Sequence, residues 1–506
     1  MESVTQKKSE QEEIVELANQ KNLFLSPEAL QLLEKASIAD AKKALQELAD
    51  ENVFIVNSND IENKLIRTKI TPIVEMEVSM PTSFKPLAKE YNANYRELKE
   101  YNLSASDTCD GSVQDFVKLF RDKLDFMQSI LKNRQGFSPK PLDSLKESTQ
   151  KREVNFIAIV QEKWVSKKGH LAFRLEDIEE ECIALVLKDN AELMEQGNRI
   201  LLDEVIGIKG TKGMGDLVII KEILQPDLPL RSPKTVEVPL NACIISDIHA
   251  GSKLFLEKEF QQFLKWLNGE KGNPKEKTMV GKIKYLFICG DNVDGIGIYP
   301  DQAKNLAVKD IFEQYQVLEK LLLNIPEYIE TFIIPGQHDS VRWADPQPPI
   351  PKEYAPQLHK QSNIHFLPSP GWVEIEGLKT LMYHGAAIHE LYGTLGNLSM
   401  SEPQKAIIEI LKRRTFLLNY GSKQPYAPEQ KDFLSIREAP DLYFGGDMHH
   451  FGSDTYRGCT IINGGCFQSQ TEYEIKQGHV PTPGIAAILG LENRKITLKN
   501  FLEEQP

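Results

Sequence analysis

The sequence predicts an α/β protein whose largest domain is preceded by a small β-barrel. Three observations carry that reading. From Val236 onward, short apolar runs alternate with helix-spaced segments, as a sheet flanked by helices demands. Five of those runs end on a cluster of Asp, His or Gln. Between residues 154 and 225 the period shortens to five strand-like runs bounded by Gly and charged turns, with one helix-like segment after the third.

Residues 1–70 read as a small helical module. Ser26 stands where a cap is needed, with Pro27 at the first helical position before "EALQLLEKA". Residues 71–150 read as a linker and a basic helical lead-in. "TPIVEMEVSMPTSFKP" at 71–86 and "SASDTCDGS" at 104–112 break any period, and Phe116, Leu119, Phe120, Leu124 and Met127 then recur at helical spacing. Residues 151–232 carry the five strand-like runs, "VNFIAIVQEKW", "HLAFRLED", "ECIALVLK", "DEVIGIKG" and "DLVIIKEI", with "NAELMEQGNR" as the helix, an order that suggests an OB-fold barrel. Trp164 and Phe173 with Lys167 and Lys168 in the turn "SKKGH" offer a stacking and phosphate surface for nucleic acid. The alternative is that Trp164 and Phe173 simply fill the barrel. Residues 233–506 form the largest domain and hold the chemistry.

Composition narrows the function classes. With 41% hydrophobic residues over 506 positions the chain can fill two or three cores. A formal net charge of −13 has the wrong sign for a protein that coats nucleic acid unaided. Phosphate contacts must then be local, and 118–152 is a candidate, with nine Lys or Arg against four acids; a solvated helix face is the alternative. Six cysteines without a Cys-x-x-Cys pair argue against a zinc ribbon or a disulfide framework. No run of about 18 apolar residues and no signal-peptide core is found, so a cytoplasmic, membrane-free protein is expected.

The strand-end clusters carry the strongest signal. "NACIISDIH" ends in Asp247 and His249; "YLFICGDNVDG" contains Asp291 and Asp294; "TFIIPGQHDS" contains Gln337, His338 and Asp339. "TLMYHG" brings His384, and "DLYFGGDMHH" brings Asp447, His449 and His450. In an open α/β sheet the carboxyl ends of the strands share one edge, so these side chains would converge there. One Asp-x-His alone is more often structural; five clusters in the same relation to their strands point to a metal site.

Together these motifs resemble the calcineurin-like metallophosphoesterases, which implies a four-layer α/β domain, two divalent cations and hydrolysis of phosphate esters. With the barrel and helical segments ahead of it, the chain resembles the small subunits of archaeal D-family DNA polymerases. That resemblance implies a 3′-to-5′ proofreading exonuclease acting on DNA 3′ ends, a large catalytic subunit as partner, and an N-terminal module free to recruit further replication factors. The alternatives are a scaffold subunit with a weakened site, or an independent metallophosphoesterase.

Carried over by position, the resemblance implies one cation on Asp247, His249 and His449, with Asp291 bridging to a second on His384, Gln337 and Asp447. Gln337 and Asp447 depart from the family pattern of asparagine and histidine. The extra anionic oxygen favours manganese or magnesium over zinc and implies weaker occupancy of the second position. His338 would protonate or stabilise the leaving 3′ oxygen, with Asp339 orienting its imidazole or, alternatively, capping its own loop. Asp294 would stand behind the ligands, His450 would point away, and His389 would approach only if its loop folds back; Arg342 and Trp343 are candidate DNA contacts, with solvent exposure or core packing as the alternative.

Overall fold

The computed structural model describes residues 14–33, 38–50, 53–58, 60–61, 80–81, 83–104 and 109–502. The chain divides into two compact units, Met1–Glu77 and Val78–Pro506.

The first unit is largely helical: residues 14–20, then Pro27–Leu33 and Ile38–Asp50. Ser26 Oγ accepts from the Ala29 amide at 3.2 Å, the cap that its place before Pro27 predicts. Ile14, Ala18, Leu33, Leu45 and Leu48 close its core. It is not purely helical, because β1 (Phe24–Leu25) pairs in parallel with β2 (Ile55–Val56). Two-residue strands leave no periodic signal. The part of the expected linker at 71–79 lies outside the described residues.

Within the second unit, part of the segment read as linker is instead built into a sheet: β3 (Tyr95–Glu97) pairs antiparallel with residues 373–375. Helix Val113–Lys132 begins at a reciprocal capping box between Ser112 and Asp115 and buries Leu119, Leu124, Met127 and Leu131. Two cations of the basic stretch are committed to structure. Buried Lys123 donates to the carbonyls of Asp203 and Leu417 at 2.9 and 2.8 Å, and Arg134 donates to the Asp227 carbonyl at 3.2 Å.

β4 (Glu153–Val165), β5 (Leu171–Glu176), β6 (Glu181–Val186), β7 (Val205–Lys212) and β8 (Leu217–Leu224) close into a barrel in the order β4-β5-β6-β8-β7. Helix Ala191–Asn198 follows the third strand, as its sequence predicts. Phe173 is fully buried inside the barrel, whereas Trp164 is 37% exposed beside the exposed Lys167 and Lys168. One aromatic therefore fills the core and the other faces solvent.

The remaining strands form two sheets rather than the single open sheet that the strand-end pattern suggests. β9 (Asn241–Ile245), β10 (Ile283–Cys289), β11 (Glu330–Ile334) and β12 (Ile364–Phe366) are parallel neighbours in the first. β13 (Gly371–Ile375), β14 (Leu378–Tyr383), β15 (Leu442–Gly445), β16 (Gly452–Tyr456) and β17 (Cys459–Asn463) make the second with β3, while β18 (Ile485–Gly490) and β19 (Ile496–Asn500) return to the first. One apolar core joins the sheets: Ile244, Phe287 and Phe332 pack with Val373, Met382 and Phe444, and the Phe287 and Phe444 rings lie 4.8 Å apart. On the far face of the second sheet, Tyr383, Tyr443 and Ile461 pack with Ile407 and Ile410 of helix Pro403–Arg413. Strands buried on both faces read as continuous apolar runs, which do not say which sheet each joins. No described helix is long and apolar enough to cross a membrane.

A buried ionic cluster ties that helix to residues near the barrel. Glu409 Oε1 accepts from Arg199 and Lys412 at 2.7 and 2.8 Å, and its Oε2 from Arg413 at 2.7 Å. Burial opposes its charge, but Arg413 and Lys412 outweigh that and hold its pKa at about 2, against an ordinary 4.5. A depressed folded pKa gives stability that is present above 4.5 and lost as pH falls towards 2. Glu409→Gln should therefore destabilise the chain by about 2–3 kcal/mol at neutral pH. In denaturant titrations that deficit should shrink across the acid window; a deficit independent of pH would contradict the assignment.

Candidate metal centre

Each cluster begins where a strand ends and the backbone turns sharply. Asp247, His249, Asp291, Asp447 and His449 all adopt positive φ, between 48° and 69°. Left-handed backbone in non-glycine residues is strained, and its concentration at one place marks a functional loop set. The loops are cross-linked: Asp247 N donates to the Gly290 carbonyl at 3.1 Å, His249 N to the Asp291 carbonyl at 3.0 Å and Gly446 N to the His384 carbonyl at 2.8 Å. Glycine is required at 336, where a Cβ would lie 2.6 Å from His384 Nε2 and displace it.

The side chains converge from both sheets. Asp247 and His249 follow β9, Asp291 follows β10, Gln337 and His338 follow β11, His384 follows β14, and Asp447 and His449 follow β15. Three groups have mutual ligand-atom distances within 4.8 Å: Asp247, His249 and His449; His249, Asp291 and His338; Asp247, Asp291 and His384. Metal–nitrogen and metal–oxygen bonds of roughly 2.0–2.2 Å set ligands of one ion about 3–4.5 Å apart, so these spacings fit cations. Asp291 belongs to two groups; its Oδ2 is 3.3 Å from His384 Nε2 and 3.8 Å from His249 Nε2.

The histidine tautomers make the stronger case. His384 Nδ1 lies 2.6 Å from the Cys289 carbonyl and His338 Nδ1 2.6 Å from the Asp294 carbonyl, so both Nδ1 atoms must carry a proton. His249 Nδ1 lies 3.1 Å from Asp294 Oδ1 and His449 Nδ1 3.1 Å from Glu474 Oε1. His249, His338 and His384 thus direct Nδ1–H outward to an oxygen and present Nε2 inward, as metal-ligating histidines do, while His449 is set beside Glu474 by proximity without a formed hydrogen bond. His249 Nε2 and His449 Nε2 then face each other at 3.0 Å. Two bare lone pairs at that distance repel unless a cation or a shared proton lies between them. His384 Nε2 and Gln337 Oε1 are buried with no hydrogen-bond partner among the described residues. Unsatisfied inward atoms of this kind call for a ligand.

Protonated at Nε2, the same imidazoles are instead cations towards the carboxylates. Burial opposes ionisation of Asp291, yet the imidazoles of His384, His338 and His249 hold its carboxyl well below the usual range. Burial likewise opposes a charge on Glu474, and His449 with the Thr471 amide keeps its pKa at about 2.

Other expected residues divide. Asp294 stands behind His249, with Gln468 Nε2 donating to its Oδ1 at 3.0 Å. His450 turns away, Nδ1 lying 2.9 Å from the Val480 carbonyl. Asp447 is close but diverted: Oδ1 is 3.9 Å from His384 Nε2, while Oδ2 is 2.9 Å from His389 Nε2.

Of the two readings of Asp339, the loop cap holds and the orienting role is corrected, as is the DNA contact at Arg342. Asp339 Oδ2 accepts from Gly336 N, Asn292 N and Asn292 Nδ2 at 2.9, 3.1 and 2.9 Å, and its Oδ1 from the Tyr315 hydroxyl at 3.0 Å. It is a loop clamp, and the Asp294 carbonyl orients the imidazole. Arg342 is not a free DNA contact, because its guanidinium donates to Glu429 and to the Pro346 carbonyl.

Glu474 and Gln468 escaped sequence reasoning, whereas His389 is expected near the site only if its loop folds back. Glu474 lies on helix Glu472–Gln477 and Gln468 in an irregular segment, without any strand-end signature. His389 reaches the site because the segment after His384 folds back as helix Ile388–Thr394.

Residues 242–453 match the B-subunit family of DNA polymerases alpha and epsilon. The chain is 36% identical to the DNA polymerase II small subunit of Methanocaldococcus jannaschii over 83% of its own length and 70% of the relative's. It is 33% identical to that of Archaeoglobus fulgidus over 95% and 96%, respectively. To that of Methanothermobacter thermautotrophicus it is 36% identical over 75% and 78%.

Proposed function

This chain belongs to the family of archaeal DNA polymerase II small subunits, and from that premise we propose that it carries a metal-dependent 3′-to-5′ exonuclease alongside the large catalytic subunit. The observation that carries the reading is the set of three histidines, His249, His338 and His384, anchored outward through Nδ1, whose Nε2 atoms converge with that of His449 on Asp247 and Asp291. A site retained only as scaffold has no need of that order.

Asp247, His249 and His449 would hold one cation, Asp291 would bridge, and His384 with Gln337 and Asp447 would complete a second position. Bound manganese or magnesium would acidify a water and polarise the phosphate. His338, held through Nδ1 by the Asp294 carbonyl, would deliver a proton from Nε2 to the leaving 3′ oxygen. Asp339 fixes the loop that carries His338. The exposed Trp164, Lys167 and Lys168 remain available for a DNA strand, and the two-sheet core is compatible with the calcineurin-like layering.

The reading is tested by following 5′-labelled single-stranded and mismatched DNA with the full chain across a cation series. Stepwise shortening from the 3′ end with manganese is expected; absence of shortening with every cation, alone and with the large subunit, would leave only the assembly role.

That weakened-scaffold reading has one observation in its favour, the pairing of Asp447 with His389. His389 draws an acceptor from the second position, so His389→Ala should tighten the weaker cation by about tenfold in calorimetry. An unchanged affinity would remove Asp447 from the ligand set. Glu474→Gln should loosen the first cation by roughly 10–100-fold through His449; equal affinity would show that Glu474 does not support that ligand.

A further inference from the structure

Beside His338 a cleft of about 370 Å³ opens, within the roughly 300–1,000 Å³ range of small-molecule sites. Gln337 and His338 form the end next to the cation cluster, and Ile296, Ile298, Val341 and Trp343 form walls. Trp343 is 59% exposed and Ile296 48% exposed, so large apolar faces are presented to solvent directly beside buried charge. Among the described residues, no Lys or Arg lines the cleft. Its one carboxylate, Asp339, is saturated by Gly336, Asn292 and Tyr315. A phosphate chain or a charged side chain would find no partner there.

The wall and the catalytic loop are one construction. The Asp294 carbonyl that holds His338 Nδ1 precedes Gly295, which Gln314 clamps through both N and O at 2.8 and 3.1 Å. Gly295 and Gly297, at φ of 72° and 74°, turn the chain so that Ile296 and Ile298 line the cleft.

From this geometry we infer that the cleft beside His338 is a nucleobase subsite, in which Trp343 stacks on the base of the nucleotide whose phosphate lies at the cation cluster. The inference rests on the exonuclease reading. It adds that the enzyme grips an unpaired terminal base by its face, without hydrogen-bond readout of its identity, because base–aromatic stacking tolerates every base.

The test uses the full chain with manganese and oligonucleotides that differ only in the 3′-terminal residue, thymidine or an abasic deoxyribose. Wild type should favour the base-bearing end by about tenfold or more in kcat/KM. Trp343→Ala should bring that ratio close to one, and Trp343→Phe should restore most of it. A ratio as large in Trp343→Ala as in wild type would overturn the subsite.

If no chain shortens either end, the exonuclease reading fails and fluorescence decides the cleft separately. Saturable quenching by thymidine 5′-monophosphate that deoxyribose 5-phosphate does not reproduce, and that Trp343→Phe abolishes, would support it. The absence of such quenching would refute it.

Discussion

Asp291→Ala is expected to reduce release of 3′ nucleotides by roughly 10³-fold or more, since the Lewis-acid contribution of bound cations amounts to several kcal/mol and each 1.36 kcal/mol is a factor of ten. Asp291, like Asp247, belongs to two of the three ligand groups, so its removal should weaken both cation positions together. It also accepts from the His338 amide at 2.9 Å, and the variant loosens the loop that aims the imidazole. Excess manganese should recover only part of the rate. A variant that keeps wild-type rates at ordinary manganese concentrations would show that the convergent cluster is not where hydrolysis occurs.

His338→Ala separates proton delivery from cation binding. A positioned acid contributes about 10²–10⁴-fold, and a loss in that range is expected in kcat. Cation affinity should hold near wild type, because the remaining histidines and Asp247 and Asp291 are untouched. Asp339→Asn is a useful companion: it removes the charge that clamps Gly336 and Asn292 but leaves the Asp294 carbonyl to orient His338. Its effect should appear chiefly as lower stability. If His338→Ala lost cation binding along with rate, His338 would be a ligand, as its place with His249 and Asp291 permits.

The site was legible because its chemistry sits at strand ends. Five apolar runs each closing on Asp, His or Gln predict convergence, and Asp247, His249, Asp291, His338, His384 and His449 do meet. What the sequence could not convey was pairing between distant elements. β14 and β15 have the same apolar character as β9 and β10, so their membership of a second sheet is invisible without the core that joins Phe287 to Phe444. Glu474 lies 25 residues beyond His449 on a polar helix with no motif of its own.

Adjacency misled in the other direction. Asp339 follows His338 directly, but consecutive residues in a tight loop point apart, and the orienting oxygen comes from Asp294, 44 residues earlier. Arg342 looked free because its partner, Glu429, is 87 residues away. The barrel was easier, since alternating strands and one helix write its order locally, and only the burial of Phe173 against the exposure of Trp164 needed three dimensions.

Manganese titration of the full chain by calorimetry, wild type against Asp291→Asn, reaches the core of this account. Two sites of unequal strength are expected in wild type, and loss of the weaker with at least tenfold loosening of the stronger in the variant. A chain that takes up no manganese, or a variant indistinguishable from wild type, would contradict it.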